Sequence, residues 1–325
     1  MSPSNIERGD GQVNQIELVV NEYLEWLRAH GYAESTVRAR RYYLAGLVGF
    51  LLQREIADPR KVTPHLIDAY QHHLFSHRKV DGRPLSFCTQ AQRLVPVKGL
   101  FDWLSRTGAV ASNPAASITL PKTEDRLPSS VLSVDEVEAV LAQPNASTAL
   151  GVRDRAILEV LYSTAIRRSE LTKLFVADVD HARASLFIRQ GKGGRDRFVP
   201  IGERALSWVR RYLEEVRPNL DIQPNQTALF LSVTGDSIAP DVLTRMVRVY
   251  MRAGAPAKAG SCHLFRHTAA TLMLDAGADI RHIAEMLGHR RLETTMAYTR
   301  VSMTKLHEVH AKYHPAEQSL RAKQL

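Results

Sequence analysis

Apolar residues recur at intervals of three and four through the first hundred positions. Ile16, Val19, Val20, Tyr23, Leu24 and Leu27 fall on one face of an amphipathic helix that Gly31 is suited to end. A second helix starts near Ser35 and turns Val37, Tyr43, Leu44, Leu47, Val48 and Leu51 inward, with Arg38, Arg40 and Arg41 at its beginning. Thr63 before Pro64 pairs a capping hydroxyl with a residue suited to a first turn, opening a third helix through Ile67, Tyr70 and Leu74. A fourth, over about 89–104, carries Leu94, Val97, Leu100, Phe101 and Leu104, and Pro96 predicts a kink in its early turns. Four helices without a clear strand make a compact helical domain over 13–111, after a polar, disordered lead-in at 1–12.

From 112 to 130 the periodicity lapses among Pro114, Pro121 and Pro128, which predicts a linker. The second domain, 131–315, opens on a capping box, Ser133 to Glu136, ahead of Val137, Val140 and Leu141. A helix over about 153–163 leads to Thr164-Ala165-Ile166-Arg167-Arg168-Ser169-Glu170-Leu171. Stretches 185–189 and 197–201 alternate as two strands, joined by a glycine-rich hairpin with Lys192 at its tip. Further helices are predicted at 203–216 and 240–253, with a short strand at 228–232 between them. Ile280, Ile283, Ala284 and Leu287 have helical spacing, and Gly288 stops that helix just before His289. Thr294 or Thr295 caps a short helix bearing Tyr298, Leu306, Val309 and Tyr313 mark a last helix ended by Pro315, and 316–325 reads as a flexible tail. The fold class is mainly α with a small β-sheet.

At 325 residues the chain suits two domains. Its 43 Lys plus Arg against 34 Asp plus Glu give +9, which favours a polyanionic partner without proving one. Arg38, Arg40, Arg41, Arg93 and Lys98 are candidate phosphate contacts in the helical domain, although a solvated helix face is the simpler explanation of any one of them. Two cysteines, Cys88 and Cys262, exclude a disulfide framework and a four-thiolate zinc site, and a reducing cytosol fits best. No apolar run reaches the ~18 residues of a membrane span, and no secretion signal is visible. A cytoplasmic protein is expected, with no membrane partner.

The candidate chemistry gathers in 263–298. His263 and Arg266, three apart on a helix, share a face and set a proton carrier beside a guanidinium fork. His289 past a helix end and Tyr298 a little further on can converge on the same pocket. Arg167 and Arg168 precede a helix start where backbone potential favours an anion, though an arginine paired with Glu170 on the surface is the plain alternative. His263 and His267, four apart, lack the following glutamate of a zinc motif, so no metal site is expected. The glycine-flanked Lys192 lacks Walker spacing, so no nucleotide cofactor is expected either.

In that order, Arg167, Lys192, His263, Arg266, His289 and Tyr298 resemble the active-site set of the tyrosine recombinases, the phage integrase and Xer family. The segments carrying them are Ala-Ile-Arg-Arg-Ser-Glu-Leu, Gly-Lys-Gly, His-Leu-Phe-Arg-His, Leu-Gly-His and Ala-Tyr-Thr. Each is modest alone; six residues in order are specific. The departures are Ala165 for a usual glycine, Arg168 for a commoner hydrophobic residue and Phe265 for a usual leucine.

The resemblance implies a SAM-like helical core-binding domain followed by an α+β catalytic domain. It implies site-specific cleavage and rejoining of double-stranded DNA through a 3′-phosphotyrosine on Tyr298, without metal, ATP or another cofactor. Arg167 and Arg266 then hold the phosphate, His263 takes the tyrosine proton, Lys192 protonates the leaving 5′-oxygen, His289 bonds a non-bridging oxygen, and Glu170 orients its neighbours. A homo-tetramer on two DNA sites in the nucleoid is implied, with a second recombinase or a directionality factor as possible company. The alternatives are a topoisomerase IB-like enzyme, which acts as a monomer, and a DNA-binding regulator without chemistry on the same fold.

Overall fold

The computed structural model describes residues 14–122, 131–189, 196–220, 226–289 and 295. It divides into two compact units, Met1–Asp125 and Arg126–Leu325. The lead-in, the hairpin tip with Lys192, the segment with Tyr298, the helix around Leu306 and the tail lie outside the described residues.

The first unit holds α1 (Gln15–Ala29), α2 (Glu34–Leu52), α3 (Pro64–Ser76) and α4 (Phe87–Arg106). Side-chain caps start three of them: Asn14 accepts from the Glu17 N–H, Thr63 from Leu66 and Ser86 from Thr89. The helix expected over 89–104 is longer and runs through Pro96. Tyr23, Leu24, Leu27, Leu44, Leu51, Tyr70, Phe101 and Leu104 fill its core. Within it, Arg40 donates to the Tyr23 hydroxyl and stacks over the Tyr32 ring.

The stretch expected as linker, 112–130, is only partly outside the domains. Ala115 and Ile118 are buried in the first core, and the carbonyls of Ile118 and Thr119 accept from Lys98 and Gln71. Prolines and small residues broke the periodicity without freeing the chain. An irregular segment satisfies its backbone through side chains of the helices it crosses.

The second unit holds α5 (Val134–Leu141), α6 (Ala149–Thr164), α7 (Arg168–Leu171), β1 (Val179–Asp180), β2 (Ser185–Ile188), β3 (Arg197–Pro200), α8 (Glu203–Arg211), α9 (Arg217–Leu220), α10 (Pro240–Gly254), α11 (Cys262–Asp275) and α12 (Ile280–Leu287). The capping box forms: Ser133 Oγ accepts from Glu136 N–H and the Glu136 carboxylate accepts from Ser133 N–H. Helix α6 is buried on almost every side, packed against α8 and α11. Its two acids are paired, Glu159 with Arg155 and Arg204, and Asp154 with Arg153 and the Tyr250 hydroxyl.

The sheet runs β1-β2-β3, antiparallel, with Phe187 opposite Phe198 and Ile188 opposite Arg197. The strand expected at 228–232 is not one. Ala228 and Leu231 form single bridges to Phe175 and Ser237, because its neighbours are an irregular segment and a turn rather than a strand edge. The helix expected over 203–216 continues past α8 as a π-turn, Tyr212–Val216, into α9. No helix of the described residues is long and apolar enough to cross a membrane.

Candidate active site

Three consecutive carbonyls at the end of α12 each accept from a different arginine. Met286 O takes Arg197 Nε at 3.2 Å, Leu287 O takes Arg266 Nη2 at 2.7 Å, and Gly288 O takes Arg167 Nη2 at 3.3 Å. A helix C-terminus leaves such carbonyls without intrahelical partners and carries partial negative charge, so it draws cations. Gly288 makes the strip accessible by adopting the left-handed conformation, φ 64° and ψ 47°, that ends the helix.

Arg266, on α11, is 4% exposed and also donates from Nη1 to Ala165 O at 2.7 Å. Its Nη2 lies 2.9 Å from Nε2 of His289, whose Nδ1 is 2.7 Å from Thr295 Oγ1. Ala165 ends α6 in the left-handed region, φ 49°, a conformation glycine takes without steric cost. That turn aims the Ala165 carbonyl at Arg266 and starts the chain toward Arg167.

Of the adjacent arginines, Arg167 turns to Glu170 and Gly288, while Arg168 turns away to Thr244 Oγ1 at 2.7 Å on α10. Glu170 is the hub. Its oxygens accept from the Arg167 backbone N–H (2.8 Å), Arg167 Nη1 (2.9 Å), Arg197 Nη1 (3.0 Å) and Arg197 Nη2 (2.9 Å). Burial pushes this carboxyl up, but the Arg197 hydrogen bonds, the Arg167 N–H and both guanidinium charges outweigh it and hold the group below the usual carboxylate value.

His263 stands exposed on the first turn of α11. Partial desolvation, then the positive charges of Arg266, Arg168 and Arg167, hold its imidazole below the ordinary value. The neutral, proton-accepting form is thereby favoured. His267 is similarly lowered, by burial and then by His263 and Arg266. Cys262 is buried, its thiol pushed up to about 11 by desolvation. Among the described residues no group of three or more His, Cys, Asp or Glu is placed to hold a metal ion.

The structure therefore brings together Arg167, Glu170, Arg266 and His289, with His263 within electrostatic reach. Lys192 and Tyr298 lie outside the described residues. The candidates in the helical unit divide: Arg38 and Arg41 are exposed, Arg93 is half-buried, Arg40 is engaged with Tyr23, and Lys98 donates to Ile118 O at 2.9 Å.

Two residues at the site escape a reading of the sequence. Thr295 stands out there as a helix cap and not as the partner of His289. Arg197 stands out only as part of a strand, yet a signal exists. It alternates with Phe198 and shares a face with the buried Val199, so it is a charge at a core-facing position.

The model of the phage integrase family matches residues 130–305. A tyrosine recombinase named XerC 2 from Ralstonia nicotianae is 45% identical over 303 residues, 92% of this chain and 87% of its own. A tyrosine recombinase named XerD from Yersinia pestis is 33% identical over 300 residues, 91% of this chain and 97% of its own. Among solved structures, the XerH site-specific recombinase bound to a palindromic difH substrate in a post-cleavage complex aligns with a TM-score of 0.70 at 17% identity, covering 94% of this chain and 98% of that one. A lambda integrase dimer bound to a core site aligns at 0.65 and 15% identity, covering 87% and 94%. At such identities the structural likeness is one of fold.

Proposed function

The chain belongs to the phage integrase family and is a tyrosine recombinase, an enzyme of site-specific recombination; from that premise we propose that it cuts and rejoins DNA through a covalent phosphotyrosine on Tyr298. The observation that carries this reading is the convergence of Arg167 and Arg266, from separate segments, on the end of α12 beside His289. Displacement at a phosphodiester builds charge on the non-bridging oxygens, and two preorganised guanidinium forks are suited to stabilise it.

A tyrosine phenol, which ordinarily loses its proton only near pH ~10, is mostly protonated at neutral pH and needs a base to attack. His263, held neutral by its surroundings, accepts that proton. Lys192 gives a proton to the departing 5′-oxygen. His289 bonds a non-bridging oxygen once the phosphate takes its place beside Arg266 Nη2. Glu170 keeps Arg167 in position. The phosphodiester's energy is kept in the phosphotyrosyl bond, so attack by a 5′-hydroxyl of another strand rejoins the DNA without ATP. Arginine, lysine and histidine carry the charge stabilisation, and the scheme calls for no metal.

Exchange of both strands between two duplexes needs two pairs of active sites, which supports a homo-tetramer on two specific double-stranded sites, in the cytoplasm at the nucleoid. A second recombinase or directionality factor is compatible with that assembly. Arg38, Arg41 and Arg93 are proposed phosphate contacts; Arg40 and Lys98, engaged within the protein, are proposed with donors to spare.

The test is to incubate the chain with supercoiled random-sequence DNA in EDTA, without ATP, then denature and look for DNA covalently bound to protein. Attachment that vanishes in Tyr298→Phe supports the scheme. Attachment that persists in the variant, or tight binding with no attachment even on a nicked suicide duplex, overturns it in favour of another nucleophile or a non-catalytic regulator.

A further inference from the structure

Arg197 faces into the second unit at the first residue of β3, opposite Ile188, with a side chain only 14% exposed. Every nitrogen of its guanidinium is engaged. Nη1 and Nη2 lie 3.0 and 2.9 Å from the two oxygens of Glu170, and Nε lies 3.2 Å from Met286 O. It is the one arginine of the three at the α12 end whose fork spans a whole carboxylate, a geometry a lysine ammonium cannot reproduce.

We propose that Arg197 is a positioning residue for strand transfer: by locking Glu170 to the end of α12 it sets Arg167 and His289 where the scissile phosphate meets them. The inference rests on the phosphotyrosyl reading above and extends it to a residue outside the reacting set. Glu170 accepts four hydrogen bonds, two from Arg197 and two from Arg167. A carboxylate has about four acceptor sites, so these bonds saturate it and leave the Arg167 fork one orientation.

The same guanidinium lies flat against the chain just before His289. A Cβ built on Gly288 would stand 3.0 Å from Arg197 Cζ and 3.1 Å from Nε and Nη1. Arg197 therefore touches the carboxylate that orients one phosphate-binding group and the backbone that presents another. A displacement of Arg197 therefore reaches two of the six candidate catalytic groups, Arg167 through Glu170 and His289 through the end of α12.

Two rival roles make different predictions. An ordinary structural ion pair changes stability and leaves the chemistry of the folded fraction alone. A direct phosphate ligand weakens DNA binding uniformly and lowers the salt dependence by about one.

The experiment measures single-turnover formation of the covalent adduct by the full-length chain on a nicked suicide duplex carrying its trapped site, together with duplex Kd across salt. Wild type, Arg197→Lys, Glu170→Gln and the double variant are compared. Arg197→Lys keeps the charge and is expected to fold, losing adduct rate on the order of 10²-fold with Kd unchanged. In the Glu170→Gln background the same substitution is expected to cost much less, since its effect passes through Glu170.

An Arg197→Lys rate equal to wild type overturns the proposal. So does a Kd loss that accounts for the rate loss, or a full loss in both backgrounds. A wild-type chain that forms no Tyr298-dependent adduct defeats the underlying reading, a result distinct from any of these.

Discussion

Nη2 of Arg266 lies 2.9 Å from Nε2 of His289. A guanidinium only donates, so this imidazole nitrogen accepts and carries no proton; the ring is the neutral Nδ1–H tautomer, with that hydrogen directed at Thr295 Oγ1. Without DNA the two proposed phosphate-binding groups thus engage each other. For His289 to donate to a phosphate oxygen from Nε2, the proton must move across the ring or a second one must be taken up. Nitrogen-15 spectra of histidine-labelled protein at neutral pH should show an unprotonated Nε2 at His289 in the free chain and a protonated one in the DNA complex. An Nε2–H signal in the free chain would contradict the tautomer.

Glu170 offers a stability test. Glu170→Ala leaves two half-buried guanidinia facing an empty site and is expected to cost about 3 kcal/mol by urea denaturation. The pH dependence has a defined sign. The native carboxyl is held below the ordinary 4.5, so its stabilisation is fully present above that value and is lost as pH falls through the lower native one. The stability gap between wild type and Glu170→Gln should therefore be flat above the ordinary carboxylate range and narrow in acid. A gap that widens in acid would show the opposite shift.

His263 is held below the ordinary imidazole value of 6.5, first by desolvation and then by Arg266, Arg168 and Arg167. As the proposed base for the Tyr298 proton it stays competent below that pH. At limiting DNA, where the profile reports the free enzyme, the acidic limb of adduct formation is expected below 6.5. Arg168→Gln removes one of the depressing charges and should move that limb upward. A limb unmoved by the substitution would detach it from His263.

Gly288→Ala combines two costs. The left-handed conformation at φ 64° penalises a Cβ by about 1–2 kcal/mol, and that Cβ presses on Arg197 at 3.0 Å. Thermal denaturation should register the first, and a drop in adduct rate at unchanged DNA affinity the second. A stable variant with wild-type rate would show that the α12 end tolerates displacement.

Much of this was legible beforehand for local reasons. Ser133 with Glu136, Thr63 with Pro64 and Gly288 after Leu287 are start and stop signals whose partners lie within a few residues, so the sequence carries both halves of each interaction. The strand expected at 228–232 failed because a strand needs an edge to pair with, and apolar alternation does not say whether one is there. Phe198, read as part of a strand, is 65% exposed while its neighbour Arg197 is turned inward. Residue type alone would have placed them the other way, whereas alternation with Val199 puts Arg197 on the inward face.

Sequence by itself determined where most helices lie, the family and the residue types able to carry phosphoryl chemistry. Tertiary structure decided which of those groups meet. Arg167 reaches Gly288 across 121 positions, and Arg266 reaches Ala165 across 101. No periodicity encodes such a pairing. The carbonyls that receive these arginines exist as acceptors only because α12 ends in a left-handed turn, and they gather three forks only because α7, β3 and α11 are packed around that end. Hydrogen-bond directionality and burial then fixed the choices sequence left open, sending Arg167 to Glu170 and Arg168 to α10.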